Sequence, residues 1–169
     1  MELAITDICK LPKSDIKYLA GTTYSTVELI ATPLIDKGIM NKVVIKNFGS
    51  LDPDPGLNEA AKMAMYAYSV LKRLEKEEFI IRVLGFLTCF LNSRTERITK
   101  KIGILLEYAV NGDVRTFISK GEVDVNMKLK WMCQMALALK SIHKHNMVHC
   151  DIKCSNFLLM LAKFSLLGY

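Results

Sequence analysis

HCDIKCSNFLL, residues 149–159, sets a histidine, an aspartate, a lysine and an asparagine at HxDxKxxN spacing, between a helical pattern and an apolar run. Taken singly, these residues are ordinary: aspartate forms turns, lysine sits in solvent, asparagine caps a turn. Taken together they are a chemical set. Asp151 offers a carboxylate that accepts a proton or orients a hydroxyl. Lys153, two residues on, lies on the same side of an extended loop and can neutralise negative charge that develops during a group transfer. Asn156 offers an amide oxygen as a neutral magnesium ligand.

Upstream of this stretch the pattern is helical. Residues 126–143 place Leu129, Met132, Cys133, Ala136, Leu137 and Leu139 on one broad apolar side, interrupted by Lys140. A shorter helix through Phe117 and Ile118 is expected to be capped by Asp113, whose carboxylate accepts free amide protons of the first turn. Before Asn111 and Gly112 the character is mixed. KYLAGTTYSTVELIATPL (17–34) is rich in residues that suit a pleated, half-buried surface, and a turn at 36–38 leads into the strand KVVIKNF. Leu57, Ala60, Ala61, Ala64, Ala67, Tyr68, Leu71 and Leu74 then fall at helical spacing. Two more strands are expected, Phe79 to Leu91 and Ile102 to Ala109, joined by the polar turn NSRTER.

This gives an α+β plan in two lobes: a five-stranded antiparallel sheet with one helix over 15–109, then an incomplete helical lobe over 110–169, with residues 1–14 as an extension. All four prolines lie in the first third, and no internal repeat is evident.

Composition narrows the class. The chain has 169 residues, 51% of them hydrophobic, with 24% charged and a mean hydropathy of +0.22. The longest apolar run, FIIRVLGFLTCFL, contains Arg82 and is too short to cross a bilayer. The N-terminus carries acids where a targeting peptide needs bases, so the expected location is intracellular and cytoplasmic. Five scattered cysteines argue against a disulfide framework. Cys150 and Cys154 lack the second ligand pair of a closed zinc site. The net charge of +6 comes from dispersed basic residues, the pattern of a solvated surface and not of a nucleic-acid interface.

At this point the chain resembles the eukaryotic protein kinase domain, from about Asp15 onward. HCDIKCSN resembles the catalytic loop HRDLKxxN, VVIK resembles the strand motif VAIK, and ILLEYAVNGDVRTFI resembles the hinge and the helix after it. Lysine at 153 makes the chain similar to the serine/threonine type. The resemblance implies ATP and magnesium as cofactors and a protein substrate as partner. It implies Asp151 as catalytic base and Lys153 as the lysine near the γ-phosphate. Lys46 would contact the α and β phosphates, and Asn156 would hold metal. Gly21 and Val27 would lie in the phosphate-covering loop, and Glu107, Tyr108 and Ala109 would face adenine through backbone groups.

The family pattern is also broken in places. Ala20, Thr22 and Ser25 stand where the three glycines of the covering loop belong, and side chains there hinder close backbone approach to phosphate. The helix glutamate expected to pair with Lys46 falls at Ala67 or Tyr68. Glu59 is roughly 12 Å away along the axis, at about 1.5 Å per residue. Lys163, in LAKFS, stands in the place of the metal-binding aspartate. Only six residues separate it from Asn156, too few for the family's pair of short strands. Cys150 replaces the arginine that commonly pairs with a phosphorylated activation loop. The chain ends at Tyr169, before an activation segment, which leaves the apolar side of the 126–143 helix without cover.

Two functions therefore stand side by side. One is an ATP-dependent serine/threonine kinase. The other is a pseudokinase-like module that binds nucleotide or protein without transfer, or a fragment with no function of its own. The departures predict no magnesium-dependent phosphorylation by this chain.

Overall fold

The computed structural model describes residues 15–21, 25–36, 39–51, 56–92, 98–160 and 164–166. The N-terminal extension, Thr22 and Tyr24 of the covering loop, residues 93–97 of the NSRTER turn, and Lys163 lie outside these.

The elements in chain order are β1 (Ile16–Gly21), β2 (Thr26–Asp36), β3 (Ile39–Leu51), α1 (Gly56–Arg73), β4 (Val83–Asn92), β5 (Ile98–Glu107), α2 (Val114–Ile118), α3 (Val125–Lys144), β6 (Phe157–Leu159) and β7 (Phe164–Leu166). The chain groups into two units. One holds the chain up to Ser69 and Val83–Tyr108; the other holds Val70–Arg82 and Ala109–Tyr169.

The first unit is built on a five-stranded antiparallel sheet in the order β1-β2-β3-β5-β4. Cross-strand partners point to the same face. One row of partners crosses all five strands: Ala20, Val27, Lys46, Ile104, Phe86. The neighbouring row, Thr26, Asn47, Gly103 and Leu87, points the other way. On that second face Ile30, Val43, Ile45, Leu87 and Leu105 form one buried cluster. Each such side chain contributes about 1.5–3 kcal/mol by leaving water. Val44, Ile104 and Leu106, facing the first row's side, are buried as well. Burial on both faces explains why VVI and ILL read as continuous apolar runs and not as an alternation.

Helix α1 lies on the face of the first row. Ala64 and Ala67 are fully buried, and the Tyr68 ring meets Phe86 edge-on, with centroids 5.7 Å apart.

In the second unit, α3 is capped by Asp124, whose Oδ2 accepts the amides of Asn126 (2.8 Å) and Met127 (3.2 Å). Its end is set by Asn146 in the left-handed region (φ 58°), a conformation that asparagine tolerates. α2 is capped by Asp113, which accepts from the backbone N–H of Thr116 at 2.9 Å and from its hydroxyl at 2.7 Å.

Three expectations need correction. The run Phe79–Leu91 is not one strand: β4 begins at Val83. Residues before it instead join β7, through Leu166 N–H to Phe79 O (2.9 Å) and Ile81 N–H to Leu166 O (3.1 Å). The run is long because it serves two partners in succession. The buried side of α3 carries Trp131, Ala138 and Ile142, while Leu129, Met132, Cys133, Ala136 and Leu137 face solvent. Apolar residues occupy most of this helix, and counting them selects the wrong side. The Trp131 ring, set edge-on against Phe117 at 5.6 Å, marks the side that packs.

The third correction concerns the segment after Asn156. The pair of short strands is present because its second strand lies beyond Lys163, over Phe164–Leu166. β6 and β7 pair antiparallel in the register Phe157↔Leu166, Leu158↔Ser165 and Leu159↔Phe164.

Candidate active site

The loop between α3 and β6 is held by a few short contacts. His149 is buried, 5% exposed, and its Nδ1 accepts the backbone N–H of Asp151 at 3.2 Å. Between them Cys150 takes a positive φ of 62°, which reverses the chain and turns Asp151 outward. The single turn Cys154–Asn156 follows, closed by Asn156 N–H to Lys153 O at 2.9 Å. That turn brings the Asn156 amide back over Asp151. Its Nδ2 donates to Asp151 O at 2.7 Å and to Asp151 Oδ2 at 3.0 Å. Lys153 Nζ meets the same Oδ2 at 2.7 Å.

Asp151, Lys153 and Asn156 are thus brought together as the HxDxKxxN spacing suggests. The Lys153 hydrogen bond, then that from Asn156, holds the Asp151 carboxyl below its usual range against a small desolvation. Charge interactions with Lys153 and His149 act in the same direction. Both donors use Oδ2. Oδ1 of this exposed carboxylate has no partner among the described residues and is the atom left to accept a proton from outside.

In the first unit, Val27 and Lys46 are direct cross-strand partners on the α1 side of the sheet. Lys46 Nζ sits 5.2 Å from the centroid of the Phe48 ring. Gly21 ends β1 opposite Thr26, and a β-carbon there would come within 2.6 Å of the Tyr18 hydroxyl. Glu107, the last residue of β5, pairs with Val43 and so points away from the face that carries Lys46. Ala109 is buried in the second unit, with its carbonyl accepting from Gly112 N–H at 3.0 Å.

The acid of α1 does not serve Lys46. Glu59 is exposed and paired with Lys62 at 2.7 Å. The positions where a partner would be expected are occupied by the buried Ala67 and by Tyr68, which is engaged with Phe86. Cys150 is exposed, as are Cys133 and Cys154. Among the described residues no cluster of three or more His, Cys, Asp or Glu side chains could hold a metal.

Two contributors escaped the sequence reading. His149 was legible as part of the spacing but not as the buried acceptor that fixes Asp151. The other is a pair across the second unit. Glu77 Oε1 lies 2.9 Å from His145 Nε2, 68 residues on, and 3.7 Å from Lys144 Nζ. Hydrogen bonds from His145 first and Ser141 second lower the Glu77 pKa, with Lys144 and His145 charges adding to this against desolvation. No spacing rule connects residues so far apart.

The family model for the protein kinase domain matches residues 32–166, well over half of the chain. Among curated relatives, the serine/threonine-protein kinase ppk35 of Schizosaccharomyces pombe is 30% identical over 112 residues, covering 60% of this chain and 18% of its own length. The serine/threonine-protein kinase kin-29 of Caenorhabditis elegans is 32% identical over 90 residues, 53% of this chain and 11% of its own. Serine/threonine-protein kinase greatwall of Danio rerio is 37% identical over 60 residues, 35% of this chain and 7% of its own. The chain spans less than a fifth of the length of these relatives.

Proposed function

The chain belongs to the protein kinase domain family, and from that premise we propose that it serves ATP-dependent phosphoryl transfer to a serine or threonine hydroxyl of a protein. Asp151 Oδ1 accepts the hydroxyl proton as the new oxygen–phosphorus bond forms and the bond from the γ-phosphorus to ADP breaks. Such a reaction asks the protein mainly for position and charge. The observation that carries this reading is the convergence of Lys153 and Asn156 on one oxygen of Asp151, which fixes the carboxylate in place and leaves its second oxygen open.

Lys153, on this reading, moves from Asp151 to the transferring phosphoryl group when the nucleotide arrives. Asn156 would hold magnesium through its amide oxygen, and the metal would offset charge on the phosphates. Lys46 and Val27, sharing a face of the sheet, would meet the phosphates and the adenine. Gly21 would lie under the phosphates, and the backbone at Glu107 and Ala109 would meet the adenine edge. An intracellular location goes with this function. Among the described residues no helix is long and apolar enough to cross a membrane.

The strand pair β6–β7 bears on the metal. In the family such a pair precedes the metal-binding aspartate. Lys163 precedes β7 and so does not stand where that aspartate would follow the pair, and the residues that do follow β7 in the sequence, Leu167, Gly168 and Tyr169, bring no side-chain carboxylate.

A second reading, a module that binds nucleotide or protein without transfer, is favoured by one feature. Ala67 and Tyr68 leave α1 with no carboxylate to hold Lys46. One experiment separates the two. Purified chain is incubated with magnesium, γ-labelled ATP and a generic basic protein substrate, alongside Asp151→Asn. The broken family pattern leads one to expect no transfer; on the present reading slow transfer is expected instead, which Asp151→Asn abolishes while leaving the far-ultraviolet circular dichroism unchanged. No transfer, together with a thermal shift on adding ATP, would establish the binding module instead.

A further inference from the structure

We propose that Phe48 is a positioning residue for Lys46, its ring aiming the ammonium at a nucleotide phosphate through a cation–π contact where a helix carboxylate would otherwise do so. This rests on the reading of Lys46 as the phosphate-binding lysine and adds the residue that aims it.

The two side chains lie two positions apart on β3. Alternation along the strand puts both on the side of the sheet that carries α1, while Asn47 between them is the cross-strand partner of Gly103 on the other side. Lys46 Nζ stands over the Phe48 ring, 5.2 Å from its centroid, inside the roughly 6 Å within which an aromatic face attracts an ammonium. Phe48 is 4% exposed and so forms a fixed wall, whereas Lys46 is only half-buried. An ammonium has three donors, and a ring face engages it from one side. Donors turned away from the ring can meet phosphate oxygens while the contact persists.

Helix α1 does not offer the alternative. Its one acid, Glu59, is exposed and paired with Lys62 at 2.7 Å. Position 67 is a fully buried alanine, and Tyr68 is set edge-on against Phe86.

The two devices differ chemically. A carboxylate fixes an ammonium by neutralising it; a ring has a quadrupole but no net charge, so it orients the ammonium and subtracts nothing from its charge. An aliphatic side chain at 48 would let the lysine stem lie along it but would leave the charged end to wander. The stem would then have to be ordered when nucleotide binds, at a cost in affinity. With phenylalanine that ordering is completed during folding.

The test replaces Phe48, in the full chain, by mono-, di- and trifluorophenylalanine through a suppressed stop codon. Fluorine withdraws electron density from the ring face with little change of shape, so packing stays while the attraction falls stepwise. Affinity for a fluorescent, ribose-labelled ATP is measured with magnesium, and circular dichroism checks the fold. Expected is a loss that grows with each fluorine and reaches about two- to tenfold, the cost of ordering one long side chain. A second readout needs no nucleotide. Lysines are reductively methylated with carbon-13 formaldehyde, and the methyl resonance missing from Lys46→Arg is that of Lys46. It should lie upfield, under the ring current of Phe48, and return to the ordinary lysine position in Phe48→Leu. A resonance unmoved in Phe48→Leu overturns the contact. Wild-type binding that is indifferent to fluorination overturns the positioning role alone. An upfield resonance in a wild-type chain that binds no nucleotide overturns the phosphate-binding reading of Lys46, and the proposal with it.

Discussion

Asp151 takes two donors from its own loop on a single oxygen, and a neutral residue at 151 would keep the shape of the loop while losing its charge. A glycine elsewhere is constrained by space. Gly103, on β5, faces Asn47, and a β-carbon added there would meet the Lys46 carbonyl oxygen at 2.7 Å and Asn47 Oδ1 at 3.1 Å. The first of these is backbone in a paired strand and cannot swing aside. Asn47 is itself tied to Glu28 at 3.0 Å and, more loosely, to Thr26 at 3.4 Å. Gly103→Ala is therefore expected to destabilise the chain by about 1–3 kcal/mol, read as a lowered urea midpoint at unchanged slope. A wild-type midpoint would show that β5 yields at this position.

At the scale of elements, caps and registers decide what forms. α3 begins where Asp124 accepts two amides, so Asp124→Ala should cost about 1 kcal/mol and fray the first turn. Thermal melting at 222 nm measures this, and Asp124→Asn should recover most of the loss. The same elements show what the sequence made legible. Runs of β-branched residues bounded by turns located β2 and β3, and the Asp113 cap follows from residue type. The side of α3 that packs did not follow, because apolar residues lie on more than one side of the helix and tertiary contact chose among them. The pair β6–β7 is hidden in the sequence because Phe164, which reads as the phenylalanine after a metal-binding position, opens a strand. For the site, spacing located Asp151, Lys153 and Asn156, but their convergence on a single oxygen depends on the φ of Cys150 and on the turn at 154–156.

At the scale of the whole molecule, two units are assembled from interleaved parts of the chain. Within the second, the segment before β4 is fastened to the end of α3 through Glu77 and His145. Glu77 titrates below its ordinary value in the folded state, first because of its hydrogen bond with His145. A carboxylate whose folded pKa is depressed contributes stability that is present above the unfolded pKa and is lost as pH falls through the folded one. Acid should therefore weaken the fold from the ordinary glutamate range downward. Glu77→Gln should remove part of that dependence, so the two urea midpoints converge toward low pH. A difference that stays constant across this range would count against the pair as the cause.

The split of the run Phe79–Leu91 has a consequence for synthesis. Ile80 and Ile81 are buried, at 3% and 0%, and their backbone partner is Leu166. They leave the ribosome more than eighty residues ahead of that partner. At roughly 5–20 residues per second, this is a wait of about 4–17 s during which two isoleucines lack their native neighbour. The newborn chain thus carries an interval of vulnerability set by topology, and a chaperone that binds short apolar segments would find its target there.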